Sequence, residues 1–99
     1  MEYTRINSSQ LGQHIGHNVS LSGKVLNADV SHLLLESSDH GQVTIVRKPG
    51  SYMPNSKYME IIGNVGNDLT IKEMYAIGLG DNFGKFLVLL KIMTTGKVS

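Results

Sequence analysis

A small closed β-barrel followed by one helix is the fold class this sequence predicts, and three observations carry it. Five short runs between Asn18 and Ile77 have strand patterning and are separated by turn residues. The first run places Gly23 on its apolar side, where a strand interior seldom takes glycine unless the strand bends. After Gly80 the pattern turns helical: eight of the eleven residues from Phe83 to Met93 are apolar, behind an Asp81 that suits an N-cap.

The elements follow in order. Met1 to Asn7 is a polar lead-in. Ser8 or Ser9 can cap a short helical segment through Gln10, Leu11, His14 and Ile15, with Gly16 as its stop. Leu11 and Ile15, four apart, would give it an apolar plug face. The first strand, Asn18 to Leu26, alternates Val19, Leu21, Gly23 and Val25 against Ser20, Ser22 and Lys24. Asn27-Ala28-Asp29 turns into a second strand, His32 to Glu36. A Ser37-to-Gly41 turn cluster leads to a third, Gln42 to Arg47. Two prolines and a glycine make Lys48 to Ser56 a loop. Lys57 to Val65 is the fourth strand and Gly66-Asn67-Asp68 a hairpin turn. The fifth, Leu69 to Ile77, sets Leu69, Ile71 and Glu73 against Thr70, Lys72 and Met74, and Gly78-Leu79-Gly80 releases the chain into the helix. Five antiparallel-type strands, a bend in the first and a small plug fit the five-stranded OB-fold best among small barrels, an SH3-like barrel sharing the strand count. The fold expected is therefore all-β with a C-terminal helix: residues 1–79 an OB-fold barrel with its N-terminal plug, residues 80–99 an assembly helix and tail.

Wound at 100° per residue, the helix carries two apolar stripes. Phe83, Phe86, Leu87, Leu90 and Met93 make one; Val88, Leu89 and Ile92 make the other, broken by Lys85. Packing on one barrel requires a single stripe. The second is expected to bury against other chains, which makes Phe83, Phe86, Leu87, Val88, Leu89, Leu90, Ile92 and Met93 the expected subunit interface.

Composition narrows the chemistry. Ninety-nine residues with 40% apolar and 17% charged side chains make one ordinary globular domain. The net charge of +1 falls short of the basic footprint of a chain that alone grips a phosphate backbone. Without cysteine there is neither a disulfide nor a thiolate metal site. The N-terminus lacks a secretory h-region, and the longest apolar run, Phe86 to Leu90, cannot span a bilayer, so a soluble intracellular protein is expected. Phe83 stands where a G-x-G-x-x-G pattern starting at Gly78 needs glycine, which removes a dinucleotide reading. His14 and His17 have no third ligand in pattern, and no nucleophile–base arrangement or carboxylate pair stands out. No enzyme, metal or cofactor is expected.

OB-folds stack bases on aromatics of their second and third strands and clasp nucleic acid with the loops joining strands one and two and strands four and five. Those two strands have no aromatic here, and the first loop has no cation. Lys24, His32, Arg47 and Lys48 can still form a shallow basic strip with Tyr52 over it, giving weak contact with single-stranded DNA.

Arg5-Ile6-Asn7, then Leu11, Ile15-Gly16, Val19 and Gly23-Lys24-Val25, resembles the opening of the smallest subunit of replication protein A, the eukaryotic single-strand-binding trimer. Tyr58-Met59-Glu60-Ile61-Ile62-Gly63-Asn64-Val65 resembles that family's fourth strand, and Gly80-Asp81 its lead into the final helix. The resemblance runs from about Thr4 to Phe83. It implies an OB barrel whose terminal helix joins helices of two larger OB-fold subunits in a three-helix bundle. The implied work is nuclear and non-catalytic: assembling a trimer that coats single-stranded DNA in replication, repair and recombination. After Gly80 the chain departs from the family's longer, more polar helix. Its Lys97-Val98-Ser99 ending is what translation through a splice donor gives, so a shortened gene product is expected. The smallest OB subunit of a telomere-capping complex is the related alternative. A free-standing OB module binding RNA or oligosaccharide is the alternative of another class.

Overall fold

The computed structural model describes residues 3–51 and 56–80. Six strands lie in one sheet: β1 (Thr4–Arg5), β2 (Asn18–Ala28), β3 (His32–Ser37), β4 (Gln42–Val46), β5 (Tyr58–Val65) and β6 (Ile71–Gly80). The sheet order is β1-β2-β3-β4-β6-β5, and β5 returns to pair with β2. The five long strands thus close on themselves through a parallel β4–β6 contact, Ile45 beside Ile71 and Val46 beside Lys72. Closure in that order is the OB barrel, and it removes most of the exposed sheet edge.

The first long strand does two jobs because of Gly23. Residues 18–24 of β2 pair with β5, residues 23–28 pair with β3, and Gly23 sits opposite both Met59 and Ser37. A Cβ there would lie 2.4 Å from the Glu36 carbonyl oxygen. The register slips after Val25, so the bulge falls at Leu26, just beyond the glycine that gives β3 its room.

The core is Ile6, Leu11 and the inward residues of every long strand, from Val19 and Leu21 to Val65 and Ile71. These are the alternating positions of the sequence pattern. Two local expectations differ from the structure. The plug is a 3-10 helix (Ser8–Gln13) started by Asn7, whose amide donates to Gln10 Oε1 at 3.0 Å. The helix ends at Gln13, so Leu11 is buried from within it while Ile15 lies beyond it, bridged to Val65 and exposed. The last strand begins at Ile71 and continues through Gly78 and Gly80, which pair with Met59 and Tyr58 instead of releasing the chain. The opposing strand supplies ladder partners that glycine accepts as readily as any residue.

Ser8 and Ser9 are occupied elsewhere. Ser8 Oγ donates to both Asp39 oxygens at 2.7 and 2.8 Å, and Ser9 N–H donates to Oδ2 at 3.0 Å, latching the plug to the β3–β4 turn. Burial pushes the Asp39 carboxyl up, but the Ser8 and Ser37 hydroxyls and the Ser9 and Gly41 amides outweigh it and hold it at about 2. A carboxyl lower in the folded than in the unfolded chain stabilises above the unfolded value of 3.8, and that contribution is lost as pH falls toward about 2. Asp39→Ala should cost about 1 kcal/mol at neutral pH, discounted for solvent screening, and flatten the acid limb of stability across that window. Urea titrations of both proteins at stepped pH check this; parallel acid limbs would refute the latch.

Candidate nucleic-acid interface

The expected strip, Lys24, His32, Arg47 and Lys48, does not come together as one surface, and Tyr52 lies outside the described residues. Lys24 is exposed near one end of β3, opposite Glu36, and His32 is exposed at the other. Four residues of strand separate those rows, about 13 Å. Lys48 is exposed just past β4.

Arg47 departs most from the expectation of an exposed cation. Its Nε donates to Glu73 Oε1 at 2.9 Å, and the two side chains are only 5% and 1% exposed. Its Nη2 donates to Ser51 Oγ at 3.0 Å, and Ser51 Oγ in turn donates to the second Glu73 oxygen. The Arg47 amide donates to the Ser31 carbonyl at 2.9 Å. One residue therefore ties together the β2–β3 turn, the loop after β4 and strand β6. It does so because β4 and β6 run parallel there, which sets the residue after Val46 beside the one after Lys72. Sequence reasoning placed Glu73 on the apolar side of its strand, and that position was the available signal of a buried partner. Ser51 gave none.

The two loops that clasp ligands in this fold are tight and acidic. Between β2 and β3, Asp29 Oδ1 accepts from the amides of His32 at 2.8 Å and Ser31 at 2.9 Å. The His32 amide, then that of Ser31, keeps the Asp29 carboxyl below its usual range. Val30 at the tip is 95% exposed. Between β5 and β6, Asp68 accepts from the Thr70 hydroxyl at 2.8 Å, which likewise lowers its carboxyl. An ionised aspartate in each clasp repels phosphate. A cleft of about 420 Å³ lies between residues 28–30 and 47–51, but Asp29 and Lys48 line it together. The outward residues of β3 and β4, including Leu34, Thr44 and Val46, carry no Phe, Tyr or Trp ring, and the one imidazole, His32, stands at the end of β3. This groove offers neither the stacking platform nor the continuous cationic track of a strong single-strand binder.

The same barrel is found among known proteins. The family model described as "Replication factor A protein 3" matches residues 1–89. The chain belongs to the replication factor A protein 3 family. Within the wider group it is 30% identical over 78 residues to a 14 kDa subunit of replication protein A from Arabidopsis thaliana, covering 79% of this chain and 72% of that one. A chain in the structure of U. maydis replication protein A bound to ssDNA superposes with a TM-score of 0.80 at 28% identity, over 96% of this chain and 94% of that one. A chain of the S. pombe Stn1–Ten1 complex superposes at 0.73 with 15% identity, over 98% and 96% of the two chains. At that identity the likeness to Stn1–Ten1 is one of fold. As a replication factor A protein 3 member, the chain has the OB barrel expected of it. The residues expected from the sequence to form a subunit interface, Phe83, Phe86, Leu87, Val88, Leu89, Leu90, Ile92 and Met93, lie outside the described residues.

Proposed function

We propose that this chain is the small, non-catalytic OB subunit of a heterotrimeric single-stranded-DNA-binding complex of the replication protein A type, working in the nucleus in replication, repair and recombination. The observation that carries the reading is the near end-to-end superposition on a chain of U. maydis replication protein A bound to ssDNA, together with the family match. The burial of Arg47 and the two ionised clasp loops support a scaffolding role, with the two larger subunits holding most of the DNA. The isolated chain should bind an oligothymidine no more tightly than micromolar at physiological salt; a nanomolar titration would sink the scaffold reading.

Assembly is assigned to the segment after Gly80. Two apolar stripes on one predicted helix require two sets of neighbours, and an unaccompanied helix of that length is marginal in water. The barrel offers a landing for one stripe: the outward faces of β2, β5 and β6 bring Ile62, Tyr75 and Ile77 into adjacent rows. Burying Val88, Leu89 and Ile92 in partners would contribute about 5–8 kcal/mol gross, part of it offset by association entropy. Leu89→Asp should abolish co-purification with the larger subunits while leaving the barrel folded by circular dichroism; normal assembly would show that the stripe is not an interface. The pull-down also separates this reading from a telomere-capping one, since it identifies the partners directly.

A further inference from the structure

We infer that a hollow on the outer face of β3 and β4, beside the β2–β3 turn, receives an arginine side chain from an extended basic peptide of a partner protein, its guanidinium on Asp29. The inference goes beyond the subunit reading and does not depend on it.

The hollow has a volume of about 220 Å³ and is bordered by Asn27, Asp29, His32, Leu34 and Thr44 among others. Pockets for small molecules run to about 300–1,000 Å³, so this one is nearer the size of a single long side chain. The β2 bulge builds it. Val25 faces Leu35, and a regular ladder would next set Leu26 against Leu34; the slipped register sets Asn27 there instead. Leu34 in turn faces Thr44, so Asn27, Leu34 and Thr44 form one row across three strands. Bulges re-aim side chains in this way and gather beside functional sites. Leu34 and Thr44 are half-buried and uncharged, a floor for the aliphatic stem of a long cation.

Asp29 supplies the charge. Its Oδ1 is fixed by three donors: the His32 amide at 2.8 Å, the Ser31 amide at 2.9 Å and the Ser31 hydroxyl at 3.2 Å. Its Oδ2 accepts from no donor among the described residues. Fixing one oxygen orients the other without occupying it, so an incoming guanidinium meets a carboxylate that is already ordered. The other titratable group at the hollow, His32, meets Ser31 Oγ through Nδ1 at 3.0 Å. Lys48 borders the neighbouring cleft and not this hollow. The polarity that turns phosphate away is therefore the polarity that attracts a guanidinium. At the lip, Val30 is almost wholly exposed and offers an apolar contact to the residue beside the arginine.

The test titrates the isotope-labelled full chain with the blocked peptide Gly-Val-Arg-Val-Gly and follows the backbone amide resonances. Saturable shifts should centre on residues 27–34 and 44–46. Asp29→Asn keeps the Oδ1 acceptor and the turn but removes the charge, and it should weaken binding about tenfold. Replacing the arginine of the peptide by glutamine should do the same to the parent chain. Asp68→Asn, which removes a like charge from the other clasp loop, should leave the affinity unchanged. The absence of saturable shifts would overturn the inference, and so would an equal loss from Asp68→Asn, which would mark generic charge. An oligothymidine that moves the same amides further at equal concentration would also overturn it, by assigning the hollow to nucleic acid.

Discussion

Glu73→Ala should destabilise the protein by about 3–5 kcal/mol, because it strands a guanidinium in a place water cannot reach. The Arg47 side chain is 5% exposed and donates through Nε to Glu73 and through Nη2 to Ser51. Removing the carboxylate leaves the charge desolvated without its counter-ion, and Ser51 loses its acceptor as well. In a domain of this size, each kcal/mol moves the melting temperature by about 4–8 °C, so a fall of more than about 10 °C is expected. The partner substitution sharpens the test. Arg47→Met with Glu73→Leu replaces the pair by apolar side chains of similar length and should recover most of the loss, since the pair's net contribution is small even though breaking it is costly. Denaturant titrations of the two single variants and the double variant give the coupling energy directly. A single variant within about 1 kcal/mol of the parent would show that Arg47 reaches solvent.

Gly63→Ala should be comparably damaging for a different reason. A Cβ at Gly63 would stand 2.1 Å from the Lys72 carbonyl oxygen and 2.8 Å from Ile71 Cγ2. The oxygen is backbone in the neighbouring strand, so nothing can swing aside; the β5–β6 ladder itself must open. The register already shifts between Ile62 and Gly63, which places the glycine at the tightest approach of the two strands. Overpacking of this kind costs about 1–3 kcal/mol where side chains can yield, and the rigid neighbour puts this site at or above the top of that range. Gly12→Ala is the matched control, since an added Cβ there meets nothing within 4 Å. It should leave the melting temperature essentially where it was, and similar losses in both variants would refute the steric account.

The two substitutions also mark where reading along the chain stops being sufficient. Gly23 was legible as a bend because it interrupts an apolar series that period 2 makes visible, whereas Gly63 sits in a run, Glu60-Ile61-Ile62-Gly63, whose burial is nearly continuous on both faces. Alternation failed there because the outward side of β2 and β5 is covered too, leaving Ser20, Ser22 and Ile62 as inaccessible as their inward neighbours. The candidate interface divided along the same line. Lys24, His32 and Lys48 are exposed as their polar positions suggested, while Arg47 looked equally free in the sequence. That Tyr58 stands beside Lys24 is a matter of strand pairing, which no local pattern carries.

By itself the sequence determined the number and order of the barrel strands, the glycine hinge in the first, the apolar inward set and the family. The first three follow from periodicity and turn chemistry that each segment carries locally, and the family from a resemblance in the order of its motifs. The tertiary structure decided which cation is buried, which carboxylate holds it and which serines latch the plug. Those outcomes depend on residues 26 to 31 positions apart being brought together by the closed barrel. A charge becomes a buried structural pin or stays on the surface according to the neighbour that closure of the barrel brings beside it.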